Sequence, residues 1–153
     1  MFRLHPEAVS LLLEYGQDYK PYVWNDMPPE PRAGWCYENS LYMMESSYDD
    51  SDESKRFVYV EGVTMGATVR PMIHAWNSYS DRGRGRNIAI DWTLFAVVKW
   101  NRYFGIPLTR DEYNRTMKCI DKDCCASLIL TRKNFPLVKD YLIEVLKKRQ
   151  KEK

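Results

Sequence analysis

A chain of 153 residues is the size of one domain, long enough to bury a single core without disulfide support. It is 44% hydrophobic with a mean hydropathy of -0.56, and no run approaches the roughly eighteen apolar residues of a membrane span, so the composition is that of a soluble globular protein. A net charge of +2 is too small to draw nucleic acid to the surface by bulk electrostatics.

Pro6 followed by Val9, Leu12 and Leu13 at helical spacing predicts a first amphipathic helix that ends near Gly16. The apolar block at 9–13 is short, has no basic flank with a cleavage site, and is followed by Glu14 and Asp18, so the sequence reads without a signal peptide. Pro21, Pro28, Pro29 and Pro31 break any regular element and form a loop that delivers the chain to Cys36. From there Tyr37, Leu41 and Met44 recur at i, i+4 and i+7, as a buried helix requires, with Cys36 in its first turn. The positive end of the helix dipole stabilises a thiolate at that place, and first-turn N–H groups without a helical partner can bind a developing oxyanion.

The acidic stretch at 46–54 reads as an exposed loop. Phe57 to Met65 is rich in β-branched and aromatic residues and predicts a strand, Met72 to Tyr79 a second and Ile88 to Leu94 a third. Turn-like segments at 66–71 and 80–87 join them, which implies an antiparallel meander. Residues 95–100 suit strand and helix alike, and Phe104-Gly105-Ile106-Pro107 marks a turn. Thr109-Arg110-Asp111-Glu112 fits a capping box opening a short helix to about Lys118. A last helix carries Val138, Tyr141, Leu142, Val145 and Leu146 on one stripe and frays after Lys147. No repeat or second domain is visible, so residues 1–153 read as one domain with a core at 33–94 and a C-terminal helical part at 109–150.

A thiol is a useful nucleophile only as thiolate, so it needs a base beside the sulfur and a group that holds the base in place. The chain has two histidines, His5 near its start and His74 on the second strand, which makes His74 the candidate partner of Cys36. Alternation puts Met72, His74 and Trp76 on one face of that strand and Ile73, Ala75 and Asn77 on the other. An adjacent antiparallel strand brings Asp91 beside His74, where it accepts the Nδ1 proton and stabilises imidazolium. Singly, each residue reads more simply as a buried cysteine or a core histidine; their order and context together point to a Cys/His/Asp site. Cys119, Cys124 and Cys125 have no nearby histidine to complete four ligands and read as core or loop cysteines, not as a metal site. Arg82-Gly83-Arg84-Gly85-Arg86 reads as an exposed hairpin turn. Four cysteines without a leader suggest a reducing compartment, and thus a cytoplasmic protein.

In order along about residues 33–94, Gly34-Trp35-Cys36, Tyr59-Val60-Glu61-Gly62, His74-Ala75-Trp76 and Asp91-Trp92-Thr93 resemble the core of the transglutaminase-like superfamily, within the papain-like cysteine enzymes. Trp92 stands where such proteins often carry proline. The resemblance implies Cys36 as nucleophile, His74 as general base and acid, and Asp91 as orienter. A second oxyanion donor would come from an upstream side chain, here Trp24, Asn25 or Trp35, and Trp76 either lines the substrate groove or fills the core. The implied fold is α+β and papain-like, a nucleophile helix packed on an antiparallel sheet with flanking helices. The implied reaction is acyl transfer from an amide or ester carbonyl of a protein or peptide through a thioester at Cys36, with no cofactor. Water as acceptor makes a peptidase, amidase or deamidase, and an amine makes a transglutaminase. Two other classes stay open: a catalytically inactive binding module of the same fold, and a nucleic-acid-associated accessory protein using the basic turn and the tail at 147–151.

Overall fold

The computed structural model describes residues 3–23, 35–66, 70–80, 87–93, 102–119 and 128–152. The fold is mixed α+β. In chain order it runs α1 (Pro6–Tyr15), β1 (Gln17–Pro21), α2 (Cys36–Ser47), β2 (Phe57–Met65), β3 (Met72–Tyr79), β4 (Ile88–Ala89), β5 (Arg102–Leu108), α3 (Arg110–Thr116) and α4 (Phe135–Lys151).

The five strands form one sheet in the order β3-β2-β5-β1-β4. Its pairs are antiparallel except β1 with β4, which run parallel. The outer strands then meet. Asn77 of β3 and Ile90, just past β4, exchange two backbone hydrogen bonds of 3.0 and 2.8 Å, so the sheet curls until its edges touch. Each strand contributes to the small cluster enclosed by this curl: Tyr19, Val58 and Val60, Trp76, Ala89 and Tyr103. The opposite face carries Tyr59, Ile73, Ala75, Ile106 and Leu108 against α1, α2, α4 and the turn at 128–130.

The strands expected at 57–65 and 72–79 are both present; they pair over eight residues, and each buries both faces. The expected third strand at 88–94 is corrected. Among the described residues of that stretch, 88–93, regular pairing covers Ile88–Ala89 and is made with β1, so the layout is a closed curl and not a meander. Two strands run where the sequence reading had none. Gln17–Pro21 lies between the expected helix end near Gly16 and the proline loop, and Arg102–Leu108, which contains the turn expected at 104–107, lies in the middle of the sheet between β2 and β1. Gly105 makes this possible. It faces Gly62 across the ladder, and a Cβ on it would stand 2.7 Å from the Trp76 ring, so the glycine is a berth for the indole.

The helices follow their periodicity with adjustments. α1 buries Ala8, Leu11 and Leu12 and leaves Val9 and Leu13 exposed, a face rotated from the one read in sequence. His5 is its N-cap, its Nδ1 accepting from Glu7 N at 3.2 Å, while its ring stacks on Phe135. The capping box at Thr109 and Glu112 is present. Glu112 also accepts from Arg149, whose Nη2 donates at 2.6 Å to the Pro107 carbonyl, fastening α4 to α3 and β5. α4 stays helical through Lys151, past the point where fraying was expected, and Tyr141 lies outside its buried stripe. Among the described residues no helix is long and apolar enough to cross a membrane.

Candidate functional site

Cys36 is the first residue of α2, and Trp35, its N-cap, supplies no side-chain cap to the first turn. The first-turn N–H groups of a helix have no carbonyl partner within the helix itself and are the groups that can donate to a carbonyl oxygen. Cys36 is half-buried and unbridged. Against it stands His74 of β3, only 2% accessible and within hydrogen-bonding reach of the thiol.

His74 Nε2 donates to Asp91 Oδ2 at 2.7 Å, and Asp91 is as deeply buried as the ring. This corrects the expectation that Nδ1 would face the carboxylate. The seam explains the difference: Asn77 pairs with Ile90, so by antiparallel counting Asp91 stands opposite Trp76, and His74 must reach it with the far tip of its ring. Nδ1, nearer the backbone, is left for the thiol.

Asp91 is held from three sides. Besides His74, Tyr103 Oη donates to Oδ2 at 2.9 Å and Thr93 N donates to Oδ1 at 2.9 Å. A buried carboxylate needs such partners, since an unsatisfied one costs several kcal/mol, on the order of 1–3 for each missing hydrogen bond. Thr93 also accepts from Asn39 Nδ2 at 3.0 Å, and Asn39 lies one turn beyond Cys36, so the aspartate segment is tied to the helix that carries Cys36. Burial alone lowers an imidazole's pKa. Here the hydrogen bonds to Asp91 and Cys36, with the charges of both, override it and push His74 up to about 9. The ring, lying between a carboxylate and a sulfur, is thus biased toward imidazolium.

Trp76 is fully buried, stacked 6.3 Å from His74 and packed edge-on against Tyr19 and Tyr103. It fills the core behind the imidazole and does not line a groove. Trp35, next to Cys36 in the chain, is 46% exposed. Trp24, Asn25, the arginines of 82–86, Cys124 and Cys125 lie outside the described residues, as does the side chain of Cys119. Among the described residues no cluster of His, Cys, Asp or Glu could hold a metal ion.

The structure brings Cys36, His74 and Asp91 together, and it adds Tyr103, Asn39 and Thr93, which sequence reasoning left without a role. Thr93 was visible as the last residue of Asp-x-Thr. Tyr103 was hidden because its strand was read as a turn. A second buried carboxylate also escaped notice. Glu61 on β2 accepts from Tyr59 Oη (2.6 Å), Ile129 N (2.9 Å) and Leu130 N (2.6 Å), and burial, only partly offset by these donors, pushes it up to about 7. No family model, curated protein or solved structure matches the chain.

Proposed function

We propose that the protein is a cysteine-dependent acyl-transfer enzyme of the transglutaminase-like, papain-like type, acting on an amide or ester carbonyl in a protein or peptide. The observation that carries this reading is the buried His74–Asp91 pair at 2.7 Å, with its imidazole against a cysteine at the uncapped start of a helix.

The reaction begins with the Cys36 sulfur as thiolate and the His74 ring as imidazolium. The Cys36 sulfur attacks the carbonyl carbon, and the oxygen takes up negative charge beside the first-turn N–H groups of α2. The His74 imidazolium gives its proton to the leaving amine or alcohol as the C–N or C–O bond breaks, leaving a thioester and a neutral imidazole. The imidazole then removes a proton from the acceptor, water or an amine, whose attack releases the acyl product and restores the ion pair. Asp91 keeps the ring in one orientation throughout and balances its charge. With His74 and Asp91 almost wholly covered and Cys36 only partly so, the cysteine is the point of entry for the carbonyl.

The test is the pH dependence of alkylation at Cys36, with mass mapping of the adduct. Intact protein should react with iodoacetamide at about pH 6, where a free thiol of pKa about 8.5 is almost wholly protonated. His74→Ala should lose that reaction by tenfold or more. A folded protein whose Cys36 reacts like a free thiol in both forms would sink the enzyme reading and leave a binding module of this fold.

A further inference from the structure

We propose that Asn77 is a positioning residue, the cross-tie that sets the separation of the Cys36 thiol and the His74 imidazole. The inference rests on the reading of the site given above. Asn77 lies on β3 three residues beyond His74 and has no accessible surface. Its Nδ2 donates to the Ser40 carbonyl of α2 at 2.9 Å and to the Val58 carbonyl of β2 at 3.1 Å. Its Oδ1 accepts from Trp92 Nε1 at 2.8 Å, and Trp92 follows Asp91 in the chain. Its backbone makes the bridge to Ile90 that closes the sheet.

One amide thus holds the helix that carries the nucleophile, the strand that carries the base and the segment that carries the orienter. Both Nδ2 hydrogens and Oδ1 are in use, so the group is satisfied and its place is defined by every partner at once. The acceptor carbonyl belongs to the same helical turn as the nucleophile, for Ser40 Oγ donates to the Cys36 carbonyl at 2.8 Å. A shift of Asn77 therefore moves Cys36 relative to His74, whereas the direct His74–Asp91 bond stays within its own pair.

Asn77→Asp keeps the shape but replaces two donors by an oxygen that faces two carbonyls. Trp92→Phe removes a single hydrogen bond and keeps an aromatic ring against Phe57. The experiment is the alkylation profile of Cys36 between pH 5 and 10 in the native protein and both variants, with a thermal melt and circular dichroism to establish that each is folded. The expected result is a midpoint in folded Asn77→Asp that moves up by one pH unit or more toward the free-thiol value of about 8.5, with a smaller upward move in Trp92→Phe. A merely structural residue lowers the melting temperature and leaves the midpoint of the folded protein where it was, and that outcome overturns the proposal. Should Asn77→Asp fail to fold, Trp92→Phe decides, an unmoved midpoint again being fatal. The two readings fail differently: a native Cys36 that titrates as a free thiol overturns both, and a native thiolate with unmoved variants overturns this one alone.

Discussion

His74 and Glu61 are buried titratable groups whose native pKa values both lie above their ordinary ones, about 9 against 6.5 and about 7 against 4.5. From about pH 4.5 to 7 the native Glu61 holds more proton than the unfolded chain does, and from 6.5 to about 9 the same is true of His74. Where the native state binds more protons, the free energy of unfolding falls as pH rises. Both contributions are thus complete on the acid side of their windows and are lost toward alkali. Denaturant melts at fixed temperature should show stability declining from pH 5 to 9. Glu61→Gln should flatten the lower part of the decline, and His74→Gln the upper part. A stability that rises across this interval would contradict the assignment of both groups. These two residues differ in how openly they could be read. A chain with two histidines, one of them on a strand after a helix-start cysteine, leaves little choice of base. Nothing local to Glu61 says that the turn at 128–130 will fold over it, since its partners lie 68 and 69 positions away.

Among elements, β5 carries most of what the sequence concealed. Its Gly105 and Pro107 have the composition of a turn, and the segment is a strand only because β2 and β1 flank it. α2, β2, β3 and α4 were legible because each displays its own period, and α3 because its capping box is a local device. β1 was not, being five residues long with a single fully buried side chain, Tyr19. Cys36, His74 and Asp91 could be assembled from their order alone, whereas the seam that joins two of them depends on β1 and β5. Gly105→Ala tests the hidden strand. The added methyl meets the Trp76 ring, which must move, and Trp76 stacks on His74. Overpacking of this kind costs about 1–3 kcal/mol. The expected outcome is a lower melting temperature together with slower alkylation of Cys36 at mildly acidic pH. Unchanged kinetics in a destabilised protein would show that the indole does not hold the imidazole.

At the scale of the whole molecule, the order of strands in space departs from their order in the chain. β5 separates β2 from β1, and β1 in turn carries β4, so the edges can meet only when a late segment has entered the middle of the sheet. Such long-range pairing is slow to form, because the loops must close before the contacts reward them. A chain truncated after residue 101 contains Cys36, His74 and Asp91 but has neither β5 nor Tyr103, and its cysteine should alkylate as an ordinary thiol. If it reacts at about pH 6 as the full chain does, the closure is not what assembles the site. During synthesis the same topology acts as a timer. On the function proposed above, Cys36 would leave the ribosome early and gain its reactivity only once residue 108 has followed, so a half-made chain would offer the cell an inert sulfur in place of a free-running catalyst.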